Sequence, residues 1–308
     1  MTSLMKIQQI LKNYESDTPG VKANLYRFLN QGKLSGTGKL VILPVDQGFE
    51  HGPDRSFGVN SLGYDPHYHF KLAIDAGLSG YAAPLGMIEA GADTFAGQIP
   101  LILKLNSNNS LMSKSNGTYQ AITGSVDEAI RLGCSGIGFT IYPASDNSLD
   151  MFYEISQITE EAKAKGLVVV VWSYPRGGDL PKDHETSLDV SCYAAHIACL
   201  LGAHIIKVKP PKSTVYDKKA LEVYDKTSQQ YQTLEQRIAM VKRACFNGKR
   251  IVIFSGGETK DDASLLSEIT ELAKGGANGS IVGRNAFQRP YDEALKLLNK
   301  IIEIYKAH

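Results

Sequence analysis

Eight short runs rich in apolar residues recur along the chain: Leu40–Asp46, Gly80–Ala83, Leu101–Leu105, Gly136–Tyr142, Leu167–Trp172, Ala203–Val208, Ile251–Phe254 and Gly279–Val282. Most are almost continuously apolar, the pattern of parallel strands buried on both faces. Helical spacing fills the gaps between many of them, as in Met151, Ile155, Ile158 and Ala162, or Val190, Ala194, Ile197 and Leu201. Ala294, Leu297, Leu298 and Ile301 repeat the pattern near the end. Several helices stop at a glycine just before the next strand, at Gly133, Gly166, Gly202 and Gly276. Eight strand–helix units in 308 residues predict an α/β fold, a (β/α)8 TIM barrel occupying residues 1–308 as one domain. Leu4, Ile7, Ile10 and Leu11 mark an amphipathic N-terminal helical extension. A doubly wound sheet is the competing architecture, but no GxGxxG follows the first strand.

Charge narrows the function classes. Lys plus Arg total 33 against 32 for Asp plus Glu, so the net charge of +1 gives no reason to expect nucleic acid or an acidic membrane as partner. An anionic small substrate would need local positive charge. The four cysteines, Cys134, Cys192, Cys199 and Cys245, form no CxxC pair and read as free thiols of a reducing compartment. No apolar run reaches spanning length and MTSLMKIQQILKNYE has no signal-peptide core, so the expected location is the cytoplasm.

Barrel enzymes keep their chemistry where strands end. The first strand ends at Asp46, a carboxylate able to hold a lysine or shuttle a proton, or simply to cap the next turn. Glu50 and His51 in the same loop are weaker candidates. His67 and His69 of HYH open a helical pattern and point apart, which favours a surface role over a metal site. The third strand carries Lys104, suited to a substrate phosphate or to suppressing protonation of another lysine, or else a snorkelling surface residue. The fourth ends at Tyr142, a pocket wall. The fifth delivers Trp172, Tyr174 and Arg176, a phenol able to exchange a proton with a substrate hydroxyl beside an indole and a guanidinium.

The sixth run, GAHIIKVKPP, ends in lysine. An ammonium in an apolar strand is costly unless paired or deprotonated, and a free amine attacks carbonyls to form a Schiff base. Alternation puts Lys207 and Lys209 on one face and does not choose between them. The last two strands end in FSGGE and VGRNAFQ, placing Ser255, Gly256, Gly257, Gly283 and Arg284 side by side. Glycine backbone there can approach an anion, and the following short helix is expected to aim its positive end at it. Two polar insertions, 106–125 and 210–233, follow the third and sixth strands and read as lids or as decoration. An amine, a phenol, a carboxylate and a phosphate cradle are the parts for cleaving a carbon–carbon bond of a phosphorylated ketose through an iminium.

Those same residues carry a resemblance. VDQGFEHGP (45–53), DPHYHFKLAI (65–74), PLILKLN (100–106), VVWSYPRG (170–177), AHIIK (203–207), FSGG (254–257) and VGRNAFQ (282–288) resemble the archaeal-type, DhnA-like class I fructose-1,6-bisphosphate aldolases. The resemblance implies metal-independent, cofactor-free cleavage of fructose 1,6-bisphosphate to dihydroxyacetone phosphate and glyceraldehyde 3-phosphate, in a homo-oligomer. It selects Lys207 as the Schiff-base lysine, Tyr174 as the proton-transfer residue and Asp46 as the acidic residue. Trp172 and Arg176 stand beside the tyrosine, and Ser255, Gly256, Gly257, Gly283 and Arg284 become phosphate contacts. One position departs: the familiar form has Asp where this chain has His204, on the face turned away from the lysine. Rival readings are a related aldolase or thiolase of the same superfamily acting on another phosphorylated ketose, a metal-dependent aldolase, and a non-catalytic phosphosugar-binding protein.

Overall fold

The computed structural model describes residues 3–111, 118–256 and 261–308. All eight expected strands form: β1 Leu40–Pro44, β2 Gly80–Pro84, β3 Leu101–Lys104, β4 Gly136–Ile141, β5 Val168–Ser173, β6 Ile205–Val208, β7 Ile251–Ser255 and β8 Gly279–Ile281. They close a parallel barrel in the order β1-β8-β7-β6-β5-β4-β3-β2. Strands β5 to β8 are therefore consecutive neighbours, and the register sets Trp172 opposite Lys207 and Lys207 opposite Ile253.

Alternation divides the strand side chains between two cores. Ile42, Ala82, Ile102, Val170, Trp172, Ile205, Ile253 and Ile281 fill the barrel interior. Val41, Leu43, Leu103, Ile137, Val169, Ile206 and Val252 pack outward on the helices. Room for the Trp172 indole comes from Gly138 on β4, where a Cβ would lie 2.5 Å from the ring.

Two N-terminal helices, α1 Ser3–Leu11 and α2 Pro19–Leu29, cover the barrel floor. Thr18 caps α2 through Val21 N, with Pro19 at its first position. Ile7, Tyr14, Val21, Leu25 and Phe28 join the interior core. The Tyr14 hydroxyl donates to His204 O at 2.7 Å and accepts from Ile251 N at 3.3 Å. His204 Nδ1 accepts from Val169 N at 2.8 Å, so the imidazole proton sits on Nε2, 3.1 Å from Asp17 Oδ1. Burial opposes ionisation of Asp17, but the His204 hydrogen bond, with Lys163 and Arg250 nearby, holds its carboxyl below the usual range. His204 thus differs from the familiar aspartate without entering the site, and the acid is supplied by the N-terminal segment.

The HYH pair divides. His67 lies at the surface against Ala90 O, whereas His69 is buried among Phe57, Tyr68 and Phe287 with Nε2 2.7 Å from Gly63 O. The expected surface role is wrong for His69, because the helix Pro66–Asp75 turns that face inward. In the first insertion Asn106–Ser107 pairs with Ala121–Ile122, while residues 112–117 lie outside the described residues. In the second, helix Lys218–Lys226 buries no side chain. The segment before it is stitched to the loop after β5 by Lys212 N to Thr186 O and Leu188 N to Thr214 O.

Candidate active site

A cavity of about 650 Å³ opens at the C-terminal ends of the strands. Asp46, Trp172, Tyr174, Arg176, Lys207, Ser255, Gly256, Gly283 and Arg284 all line it. Gly257 lies outside the described residues.

Lys207 projects from β6 beside the Trp172 indole, 6% exposed, with Nζ 5.3 Å from the centre of that ring and 5.5 Å from that of Tyr174. Burial pulls its pKa down to about 8; Asp46 and Glu50 resist, and Lys104 and Arg176 push the same way as burial. About a tenth of such a lysine is free amine at pH 7, against well under a thousandth for an ordinary one. Lys209 lies beyond the strand end, one-third exposed, with Nζ 3.5 Å from Glu185. Burial therefore separates the two lysines where alternation could not.

Asp46 sits at the N-cap of Gln47–His51, yet its side chain makes no capping hydrogen bond. The carboxylate faces the cavity, where its charge opposes deprotonation of Lys207 and of Lys104. Tyr174 is partly buried, and burial together with Asp46 raises its phenol well above the ordinary value while Arg176 works against both. The Arg176 guanidinium lies 5.2 Å from the Tyr174 ring centre and 5.8 Å from that of Tyr142, with Nε 3.6 Å from Glu185. Tyr142 stands behind Arg176 and accepts a hydrogen bond from Gln120 at 2.7 Å.

Lys104 is placed differently from a phosphate ligand. It does not line the cavity. Its ammonium is held beneath the Trp172 ring by Asn106 O, Asn106 Oδ1 at 2.8 Å and Gln120 Oε1 at 3.3 Å. Inward projection from the short strand β3 leaves it one layer too deep, and burial lowers its pKa to about 8. Of the three readings open to it from the sequence, burial at 2% exposure excludes the snorkelling surface residue, and from this position its charge lowers the Lys207 pKa.

At the ends of β7 and β8, Ser255 Oγ is buried without a hydrogen-bond partner among the described residues, as is Trp172 Nε1. A Cβ on Gly283 would meet Gln47 Nε2 and Pro44 O at 2.9 Å, so only glycine lets the end of β8 lie this close to β1. The helix that follows, Arg284–Phe287, is one turn long. Its dipole is correspondingly small, so little of the expected helix-end contribution is present there.

Glu50 and His51, weak candidates in the sequence, line the cavity with His51 Nε2 3.9 Å from Glu50. Arg55, Thr140, Lys182 and Glu185 line it too and were not foreseen. Thr140 follows the alternation of β4, but the other three lie in loops where sequence spacing carries no direction. No group of three or more His, Cys, Asp or Glu able to hold a metal occurs among the described residues.

Residues 40–289 match the model of the DeoC/LacD family aldolases. A fructose-bisphosphate aldolase class 1 from Thermoproteus tenax is 38% identical over 272 residues, covering 87% of this chain and 89% of that protein. A probable fructose-bisphosphate aldolase class 1 from Chlamydia trachomatis is 34% identical over 296 residues, covering 92% and 84%. Among solved structures, a Schiff-base-forming fructose-1,6-bisphosphate aldolase whose reaction intermediates were analysed superposes with a TM-score of 0.75 at 33% identity, covering 91% of this chain and 98% of that one. The chain belongs to the DeoC/LacD family of aldolases.

Proposed function

We infer that the protein is a class I fructose-bisphosphate aldolase, cleaving fructose 1,6-bisphosphate reversibly to dihydroxyacetone phosphate and glyceraldehyde 3-phosphate through a Schiff base on Lys207. The observation that carries this reading is the buried Lys207 amine, set between the Tyr174 phenol and an anion-receptive strand end.

The Lys207 amine attacks the keto carbon C2, and the carbinolamine loses water to give an iminium. Asp46 carries the proton that the departing hydroxyl needs. The bond between C3 and C4 then breaks, its electron pair moving to C3 and into the iminium as an enamine. The C4 hydroxyl proton passes to the Tyr174 oxygen and the aldehyde leaves. In the direction of synthesis the neutral phenol, favoured by its burial, returns that proton. In cleavage the iminium charge and Arg176 stabilise the phenolate that must receive it. Protonation of the enamine at C3 and hydrolysis free the second product. The iminium is the electron sink, so no metal is required.

Barrel order orients the sugar. Tyr174 just past β5 serves C4, which turns the C1 phosphate to the other side of Lys207, toward Ser255, Gly256, Gly283 and Arg284 at the ends of β7 and β8. Trp172 forms the floor between them. The phosphorylated sugar is the expected partner, with neither nucleic acid nor membrane; no helix among the described residues is long and apolar enough to cross a bilayer. The free cysteines support a cytoplasmic location, and the reading extends to a homo-oligomer. Borohydride reduction with dihydroxyacetone phosphate, followed by peptide mass mapping, is the test. The adduct is expected on Lys207; a label on Lys209 or Lys104 moves the assignment, and binding without any label makes the protein a phosphosugar binder instead.

A further inference from the structure

The loop after β1 presents a cation that the reaction above leaves unused. Arg55 is exposed on the short helix Pro53–Phe57 and lines the same cavity as Ser255, Gly256 and Arg284. Because β1 and β8 are adjacent in the barrel, the segments following them are neighbours. They are also riveted together. Gln288 Nε2 donates to Arg55 O at 3.1 Å and to Ser56 O at 2.9 Å. Asn60 Nδ2 donates to Phe287 O and Arg289 O, both at 2.9 Å, and the Phe57 and Phe287 rings meet at 5.8 Å.

The backbone carrying one guanidinium is thus fixed to the helix carrying another. Both act on the same imidazole: burial depresses the His51 pKa, and the charges of Arg284 and Arg55 depress it further. The Arg55 guanidinium makes no ion pair or hydrogen bond among the described residues, although Asp46, Glu50 and Glu185 line the same cavity. Two planar cations that line one cavity and both act on His51 suit a dianion that both forks can address.

We propose that Arg55, positioned by Gln288, is a second guanidinium for the phosphate ester received by Ser255, Gly256, Gly283 and Arg284. This rests on the aldolase reading, and it adds a phosphate ligand from the β1 loop, beside the glycine-rich strand ends. A residue that recognises the phosphate must matter for dihydroxyacetone phosphate and not for dihydroxyacetone, which offers the same ketone to Lys207.

The test is borohydride trapping of the full-length protein with each of these two ketones, over a concentration series. Arg55→Ala is expected to raise the half-saturating dihydroxyacetone phosphate about tenfold, the loss of one charge-assisted contact, and to move that for dihydroxyacetone by less than about twofold. Arg55→Lys recovers part of the loss, as a point charge without the fork. Gln288→Ala gives a smaller rise with the same selectivity. An unchanged value for the phosphorylated ketone, or an equal rise for both, overturns the proposal. If the unaltered protein traps neither ketone, the Schiff-base reading fails instead. Calorimetry with inorganic phosphate then judges Arg55 alone: weaker binding by the Arg55→Ala protein upholds it and equal binding removes it.

Discussion

The two ends of this barrel treat buried polar groups in opposite ways. At the floor, Tyr14 makes two hydrogen bonds, one of them to His204 O across 190 residues of sequence. His204 accepts another from Val169 N, and Asp17 stands 3.1 Å from His204 Nε2. At the mouth, Lys207 is buried beside two aromatic rings, while Ser255 Oγ and Trp172 Nε1 lack partners among the described residues. The strands are shared: β5, β6 and β7 begin in the satisfied network and end at the unsatisfied one. Satisfied burial stabilises the fold, whereas unsatisfied burial leaves groups whose interactions a substrate can complete. Substitutions at the floor should therefore register as stability, and substitutions at the mouth as rate.

The largest effect is expected at Lys207. Lys207→Met should lower turnover by a factor on the order of 10⁴ or more and abolish borohydride trapping, because the covalent route is lost. The same variant should melt higher than the parent at pH 7. A lysine with a folded pKa of about 8 binds fewer protons than in the unfolded chain, so its burial penalty is full at neutral pH and fades as the pH rises toward its ordinary value. A lower melting temperature at pH 7 would break the comparison at its centre.

Tyr174→Phe comes next, with kcat down roughly 10²–10⁴-fold and little change in half-saturation, measured by steady-state kinetics. Equal turnover would reduce the phenol to a wall. A smaller effect belongs to pH. The free amine is the reactive form, so kcat/KM should rise as the pH climbs through about 8 and level off above it. Lys104→Met removes a neighbouring positive charge and should move that limb to higher pH, by less than about one unit. An unmoved limb would leave Lys104 a structural residue. The smallest effect on rate is expected at the floor: Tyr14→Phe should cost about 1–3 kcal/mol in denaturant unfolding and leave kcat within about twofold. A large fall in kcat would show that the two ends are coupled through the strands they share.

How far the sequence could be read follows the same division. Local patterns disclosed the eight strands, since alternation and apolar runs are written into neighbouring residues. They also placed Asp46, Trp172, Tyr174, Gly256 and Gly283 at the cavity, because a strand end is a local event. What was not legible depends on residues far apart. Nothing near His204 announces Asp17, and nothing near Arg55 announces Gln288, 233 residues away. Lys104 shows a different limit: its inward face was legible but its depth was not, because depth depends on where the strand sits in the closed barrel. His69 failed for a third reason, a polar side chain buried by aromatic neighbours drawn from two other segments.

The covered floor has a consequence for the order of events. With α1 and α2 filling one opening, sugar and products share, among the described residues, the door at the opposite end. The aldehyde half must depart first, while the ketone-derived half stays tethered to its lysine, so the final hydrolysis waits for the first passenger to leave.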